Sequence, residues 1–403
     1  MTVEATAALG VWDTANPALR ACPYPAYAAL RAVAPVHRVD RPDAAPVWYV
    51  VGHAEARRAL TDQRLVRDVT RLPEEGRPVE PLAALGLDRS MLGVDPPDHT
   101  RLRGLVSAAF TARRVGLLRP RVQEIADRLL DAMAGRDTVD LNEAYARPLP
   151  AIVICELLGV PVSDRDLFLG WIRDLFDHAG PRAAVRAAGR ALSGYLADLV
   201  AAKRASPDQG LISALTTVRD ERQRLTDAEL LSTVTLLLVA GLETTVNLIG
   251  SATVALVRHP EQLAAVRADP ALWPQAVEEV LRYDGPTEMA VARWAVEDLD
   301  LGGVPVPAGG EVLVVLGAAN HDPALVPDAD LLDVRRRPGP HLAFGHGVHH
   351  CLGAPLARIE AETALRSLFD RFPRLRLAVP AEDLRIVPNL SLRSLATLPV
   401  RLT

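Results

Sequence analysis

One short stretch decides the interpretation of this chain: Phe344-Gly345-His346-Gly347-Val348-His349-His350-Cys351-Leu352-Gly353. A single cysteine stands here between glycines, with histidines just before it. Residues 355–371 begin with a proline and carry periodic apolar side chains, so they predict a helix that starts directly after the cysteine. The positive end of a helix dipole and nearby backbone N–H groups favour a thiolate over a thiol. We therefore expect Cys351 to be an anionic sulfur ligand.

Three kinds of site accommodate such a cysteine. A buried structural cysteine explains neither the glycines nor the histidines. A zinc site would use Cys351 with His346, His349 and His350, but structural zinc sites usually draw ligands from two clusters, and the sequence has no second one. A thiolate held by glycine-rich backbone suits haem iron, because it pushes electron density toward bound oxygen. We favour the haem site, and the other two stay open.

The pattern Phe344-x-x-Gly347-x-x-x-Cys351-x-Gly353 resembles the haem-binding loop of the cytochrome P450 family. The resemblance runs from about residue 23 to the C-terminus. It implies one domain over residues 1–403, mainly α-helical with small peripheral β-sheets, in which haem b lies between a long central helix and the cysteine loop. Cys351 would be the axial iron ligand, and Phe344, Gly345 and Gly353 would contact the cofactor.

Composition limits the alternatives. Of the 403 residues, 49% are hydrophobic, which is enough for an extensive core, and the net charge of −5 argues against a nucleic-acid binder. Three cysteines do not form a disulfide framework, so a reducing cytoplasm is expected. The first ten residues have neither a basic start nor a long apolar run, so we expect no signal peptide and no membrane anchor.

A second chemical cluster lies in the long apolar stretch 226–258, which opens with the capping box Thr226-x-x-Glu229. Residues 230–257 are long enough to span a membrane, but their many hydroxyl groups favour a buried core helix. Glu243 and Thr244 need polar partners there. Through the family resemblance, Ala240 and Gly241 would lie against the haem, Thr244 would hydrogen-bond oxygen, and Glu243 would help deliver protons.

Supporting residues follow from the same resemblance. Glu279-x-x-Arg282, with Arg336, would form a structural triad that holds the cysteine loop. Haem propionates need cationic or donor partners inside a protein, and four residues are candidates for that role: His99, Arg103, Arg293 and His349. His321 replaces the arginine of a common Asn-Arg-Asp-Pro turn, and no catalytic role depends on it.

Periodicity predicts helices at 98–110, 119–133, 148–158, 183–203, 226–258, 272–283 and 355–371. A shorter helical piece is expected at 27–33. Strand-like runs occur near residues 36, 47–51, 311–315, 375–379 and 398–402, and residues 66–97 are expected to be mostly irregular.

The family resemblance also assigns a substrate pocket. Its expected lining is apolar and non-aromatic: Leu87, Met91, Leu92, Val94, Leu236, Val239, Ala240, Met289, Ala290, Val291, Leu390 and Leu392. Such a pocket favours a bulky, neutral, lipophilic ligand. The overall resemblance is to actinobacterial macrolide and polyketide hydroxylases, whose relatives accept steroids and secosteroids.

The implied activity is O2-dependent hydroxylation or epoxidation by a monomer, with electrons from NAD(P)H passing through a reductase and an acidic ferredoxin. The expected ferredoxin surface comprises Arg101, Arg113, Arg114, Arg335, Arg337 and Arg358. Two alternatives remain: a haem–thiolate sensor that binds ligand without turnover, and a peroxide-using or bond-coupling variant. The intact Glu243–Thr244 pair argues against both.

Overall fold

The structure is a computed structural model, and it describes residues 21–41, 44–75, 77–78, 86–87, 89–175, 181–218, 224–387 and 389–403. Helices dominate the described residues. In chain order they are α1 (Tyr24–Val33), α2 (His53–Thr61), α3 (Asp98–Ala109), α4 (Ala112–Gly116), α5 (Arg119–Met133), α6 (Pro148–Leu158), α7 (Arg165–Leu175), α8 (Arg182–Ala205), α9 (Leu211–Thr217), α10 (Asp227–Arg258), α11 (Pro260–Ala268), α12 (Trp273–Asp284), α13 (Leu316–Asn320) and α14 (Ala354–Arg371).

The strands are short and form three small sheets. They are β1 (Val36–Arg41), β2 (Ala44–Val50), β3 (Leu65–Val66), β4 (Thr138–Asp140), β5 (Arg293–Ala295), β6 (Leu299–Leu301), β7 (Val304–Val306), β8 (Glu311–Val314), β9 (Arg376–Leu377) and β10 (Pro399–Arg401). One sheet has the order β1-β2-β8-β5-β3, with only β2 and β8 parallel. The others are β4-β10-β9 and β6-β7. The predicted mainly helical fold with peripheral sheets is confirmed.

Helix α10 is the centre of the largest apolar core, where it packs against α6, α12 and α14. It begins at the predicted capping box, in which Thr226 and Glu229 each bond the other's backbone N–H. Within the described residues it is the only helix long and apolar enough to cross a membrane, and 67% of its most apolar window is buried in the fold. The preference for a core helix over a membrane span is consistent with this burial.

All seven long predicted helices form, with ends within one or two residues of their expected bounds. Six further helices among the described residues were not predicted: α2, α4, α7, α9, α11 and α13. Each has no more than eleven residues and buries at most four side chains, so its apolar stripe is too short to stand out from the surrounding sequence. Most of the loop at 66–97 lacks regular structure where it is described, apart from the turn Val69–Arg71.

Candidate active site

The cysteine loop is shaped by backbone bonds and two glycines. The Cys351 N–H donates to the Phe344 carbonyl at 2.9 Å, and α14 begins three residues after the cysteine, as predicted. Gly345 and Gly347 have φ values of 71° and 75°, which side-chain-bearing residues rarely adopt. At Gly347 a Cβ atom would also lie 2.9 Å from the Leu60 carbonyl oxygen of α2. The loop therefore turns tightly against α2 and presents Cys351.

The sulfur of Cys351 accepts from the backbone N–H groups of Gly353 and Ala354. Burial nevertheless raises the pKa of the Cys351 thiol, and these N–H groups with the charges of Arg103 and Arg358 offset only part of that rise. The N–H groups at the helix start thus favour the thiolate, as expected, but in the protein alone burial of the sulfur outweighs them. Deprotonation would come from a bound metal ion, which removes the proton of a coordinating thiol.

Side chains with accessible surface occur both in the cysteine loop and on α10. Cys351 is surrounded by protein, yet its side chain keeps free surface. On α10, Ala240 is exposed and Thr244 is half-buried, although the neighbouring residues of this helix are mostly buried. Residues four apart lie on one helix face. An exposed alanine in the middle of a core helix indicates a cleft that the protein's own side chains do not fill.

The Cβ position of Gly241 is directed toward α6. A Cβ atom at position 241 would lie 3.7 Å from Ile154 Cδ1 of α6, which is an ordinary packing distance. A side chain at position 241 would therefore point toward α6, while Ala240 and Thr244 keep accessible surface, and contact of the haem with Gly241 stays a prediction. The Thr244 hydroxyl donates to the Ala240 carbonyl at 2.7 Å.

Glu243 has a partner that the sequence did not indicate. It is 3% exposed, and Arg147 Nη1 donates to its Oε2 at 3.1 Å. Arg147 also contacts Glu143, whose side chain is 56% exposed. The arginine follows a π-helical turn, Asn142–Ala146, which changes the register of the backbone before α6. A line of charged groups thus connects the surface to the buried carboxylate on α10.

Three of the four candidate propionate ligands come together in one buried cluster. The His99 and His349 rings are 4.3 Å apart, and Arg293 is 3% exposed beside them. A fourth member, Arg67, was not predicted. Its Nη1 lies 3.3 Å from His349 Nδ1, and the charge of Arg293 acts on it. Arg67 directly follows β3, whose pairing with β5 brings it close to Arg293.

This cluster has unused donors and excess positive charge. Across the described residues, eight buried side-chain N or O atoms have no hydrogen-bond partner, and six of them belong to Arg67, His99, Arg293 and His349. Burial lowers the pKa of His99 to about 4 and that of His349 to about 3, so both rings are neutral near pH 7. Burial likewise lowers the pKa of Arg293 to about 10. Among the described residues, two buried guanidinium groups lie near one carboxylate, Asp95, and this excess of positive charge favours binding of an anion.

Arg103 lies at the edge of this cluster. Its charge acts on both His99 and Cys351, and it is half-buried. The predicted triad also assembles: Arg282 donates to both carboxylate oxygens of Glu279, and Arg336 Nε donates to Glu279 Oε1 at 3.1 Å. Both arginines bond carbonyl groups of residues 327–331, upstream of the cysteine loop.

The twelve expected pocket residues fall into two groups. Five have almost no free surface and pack in apolar clusters: Leu87, Met91, Val94, Leu236 and Met289. A side chain that lines an unfilled cleft keeps accessible surface, so these five are better explained as packing residues. The other seven keep such surface: Leu92, Val239, Ala240, Ala290, Val291, Leu390 and Leu392.

Glu360 on α14 is a buried carboxyl group that the sequence did not single out. It is 2% exposed and hydrogen-bonds Thr245 of α10. Burial raises its pKa to about 8. In sequence it looked like an ordinary polar position on an amphipathic helix.

Glu360→Gln is expected to remove a pH dependence of stability. The folded-state pKa of about 8 lies above the unfolded value, so the folded protein keeps a proton that the unfolded chain loses between about pH 4.5 and 8. Wild-type stability should therefore fall by a few kcal/mol relative to the variant across that window. Thermal unfolding midpoints measured from pH 5 to 8 test this, with Glu362→Gln on the same helix as control. Parallel curves for wild type and Glu360→Gln would refute it.

Comparison with known proteins agrees with the fold and site. A family model described as cytochrome P450 matches residues 180–379. The chain is 50% identical to the cytochrome P450 monooxygenase PikC of Streptomyces venezuelae, covering 94% of this chain and 91% of that protein. It is 46% identical to the vitamin D(3) 25-hydroxylase of Pseudonocardia autotrophica, with coverages of 94% and 93%. The solved structure of the bacillaene polyketide synthase cytochrome P450 PksS of Bacillus subtilis superimposes with a TM-score of 0.89 at 38% identity, covering 96% of this chain and 98% of that chain.

The fold and these matches define a haem-dependent oxidoreductase. The chain belongs to the cytochrome P450 family, and it is a P450 monooxygenase. Family membership implies haem, O2 and electrons supplied by a reductase.

Proposed function

We propose that this protein is a cytoplasmic, monomeric monooxygenase that hydroxylates or epoxidises a bulky, lipophilic natural product such as a macrolide, polyketide or steroid-like molecule. Haem b would lie between α10 and the cysteine loop, and Cys351 would hold its iron. The observation that carries the proposal is the buried cationic cluster near this cleft, whose free donors suit the carboxylates of the cofactor. The relatives fit this substrate class, since one is named for vitamin D(3) and another for a polyketide synthase.

Residues of this chain would bind the cofactor and transfer protons. Bound haem supplies O2 activation, promoted by electron donation from a thiolate. Arg67, Arg293 and the two neutral imidazoles would orient the propionates. The Thr244 hydroxyl, on the open face of α10, would hold a proton at the cleft. Glu243 would pass protons inward, and Arg147 would connect it to the exposed Glu143.

The activity is tested by measuring product formation against NAD(P)H consumption with a ferredoxin system. A lipophilic natural product that shifts the Soret band is the appropriate substrate for this assay. Product formed in proportion to the NAD(P)H consumed supports the proposal that the protein is a monooxygenase of such substrates. A ligand-induced spectral shift without reductant consumption would identify a sensor, and product formation only with peroxide would identify the peroxide-using variant.

Arg293→Ala is expected to weaken haem retention. Removing one partner of a buried charge pair typically costs about 3–5 kcal/mol. The haem-free protein should be no less stable, because the substitution relieves repulsion between Arg293 and Arg67. Haem retention is measured as the rate of haem transfer from the protein to apomyoglobin. Arg385→Ala, at an exposed position, serves as the control. If Arg293→Ala loses haem at the wild-type rate, Arg293 does not bind a haem propionate.

Three arginines of the expected ferredoxin surface have partners within the protein. Arg101 pairs with Glu229, and Arg358 pairs with Glu278 at 2.5 Å while lying over the Phe344 ring. Arg114 donates to two backbone carbonyls. Three of the six arginines are exposed and have no ion pair to another described residue: Arg113, Arg335 and Arg337. We propose that these three attract an acidic ferredoxin.

An Arg113→Glu/Arg335→Glu/Arg337→Glu variant is expected to slow first-electron transfer at low salt by about tenfold or more, because charge steering raises association rates. The difference should shrink as salt shortens the screening length to about 10 Å at 0.1 M. Stopped-flow reduction measures the rate. Arg186→Glu/Arg190→Glu/Arg374→Glu makes the same charge change elsewhere, and equal rates in the two variants would reject this surface.

A further inference from the structure

Two segments that carry candidate pocket residues are joined to each other. The 286–292 segment connects α12 to β5, and the 389–394 segment precedes β10. The Glu288 N–H donates to the Ser391 carbonyl at 2.9 Å, and the Arg393 N–H donates to the Pro286 carbonyl at 2.9 Å. Thr287 and Leu392 form a β-bridge between these bonds. A shift in one segment must therefore move the other.

Both segments are joined to elements of the candidate site. The 286–292 segment runs directly into Arg293 of the buried cationic cluster. The 389–394 segment is tied to α10, because Asn247 Nδ2 donates to Ser394 Oγ at 2.7 Å, about one turn beyond Thr244. Half-buried apolar residues of the two segments, Ala290 and Leu392 among them, keep free surface.

A buried polar network fixes the outer side of these segments. Asp284, at the end of α12, accepts from Arg393 Nε at 2.5 Å and from the Tyr24 hydroxyl at 2.5 Å. The Arg393–Asp284 pair is largely buried, with side chains 10% and 18% exposed. Glu288 is 2% exposed and accepts a hydrogen bond from the Tyr27 hydroxyl. Each segment is thus anchored to α1 by a charged side chain.

His321 belongs to the same assembly. Its ring stacks on Tyr24 at 4.0 Å between centroids, with a 17° interplanar angle. The ring is fixed from both sides, because Nε2 donates to the Tyr283 carbonyl at 2.7 Å and Nδ1 lies 2.8 Å from Asp330 Oδ1. A flat ring at position 321 supports the tyrosine that bonds Asp284. The residue in this contact is the histidine of the Asn320-His321-Asp322-Pro323 turn.

We propose that Arg393, Asp284 and Glu288, with Tyr24 and Tyr27, are positioning residues that set the placement of the pocket wall and hence ligand selectivity. The inference rests on the proposed function, since it requires a bound haem and a substrate pocket. Buried ion pairs add little stability compared with apolar packing, but their directional bonds can specify a unique arrangement. None of these five side chains is assigned a contact with substrate or cofactor, so they would act through Ala290, Val291, Leu390 and Leu392.

The test compares two azole probes on haem-loaded protein. Imidazole coordinates iron without reaching the pocket wall, whereas clotrimazole coordinates iron and also contacts the wall. In Arg393→Gln and Tyr27→Phe, spectral titration should show clotrimazole affinity reduced on the order of tenfold, because small misplacements of contacting groups have large effects. Imidazole affinity and haem content should stay at the wild-type level. Arg393→Lys, which keeps the charge near Asp284, should recover part of the clotrimazole affinity.

Arg385→Gln, an exposed arginine in the preceding loop, is the matched control. A Tyr27→Phe/Glu288→Gln double variant avoids leaving a buried carboxylate unpaired if a single variant does not fold. Unchanged clotrimazole affinity would overturn the proposal. Equal losses for both probes, together with haem loss, would also overturn it, because they indicate a general structural role. Absence of a thiolate-type haem spectrum in the wild type would instead overturn the proposed function.

Discussion

Thr244→Ala and Glu243→Gln are each expected to separate reductant consumption from product formation. Haem content and substrate affinity should change little, because Thr244 lies on an open face and Glu243 points into a buried ion pair with Arg147. Positioned proton transfer typically contributes about a hundred- to ten-thousand-fold in rate. Most NAD(P)H should then yield peroxide or water in place of product.

The two substitutions differ in the ion pairs of Arg147 that remain. Glu243→Gln removes the buried partner of Arg147, which keeps only the exposed Glu143. Thr244→Ala removes a hydroxyl and leaves the ion pair intact. Thr253→Ala is the matched control, since the Thr253 hydroxyl makes the same type of bond to the carbonyl four residues earlier, at 2.8 Å, but is fully buried. A wild-type ratio of product to NAD(P)H in both test variants would remove Glu243 and Thr244 from the mechanism.

Local sequence patterns predicted the structural features that depend on residues close together in the chain. The long helices have apolar periodicity over three or more turns, and Thr226 and Glu229 mark the start of α10. The position of Cys351 just before α14 followed from the adjacent glycines and Pro355. These features arise within a few residues of each other, so one sequence is sufficient to find them.

Contacts between distant parts of the chain were predicted less well. Arg147 and Glu243 are 96 residues apart, and nothing near Arg147 indicates a buried partner. Arg67 follows a two-residue strand, and only the pairing of β3 with β5 brings it to Arg293. The family resemblance supplied His99, Arg293 and His349, and these three do meet. It also suggested Met289 as a pocket residue, whereas Met289 packs with Tyr27 and Val315 in a separate apolar cluster.

The sequence also did not predict which of several opposing electrostatic effects on a pKa is the largest. The start of α14 does direct N–H groups at Cys351, but burial of the sulfur outweighs them. Likewise, Glu360 and Glu362 are two residues apart on one helix, yet Glu360 is turned into the core, where burial raises its pKa, whereas Glu362 pairs with Arg119. Such differences depend on which face of a helix meets its neighbours, and a single sequence gives that face only approximately.

The spectrum of the reduced carbon monoxide complex tests the central claim most directly. A cysteine thiolate is the axial ligand that characterises P450 haem, so wild-type protein and the Cys155→Ala control should both give the thiolate-type Soret band. Cys155 is a buried cysteine of α6 and has no assigned role at the cleft. Cys351→Ala and Cys351→His should lose that band completely. Its survival in Cys351→Ala would contradict the assignment of Cys351 as the iron ligand.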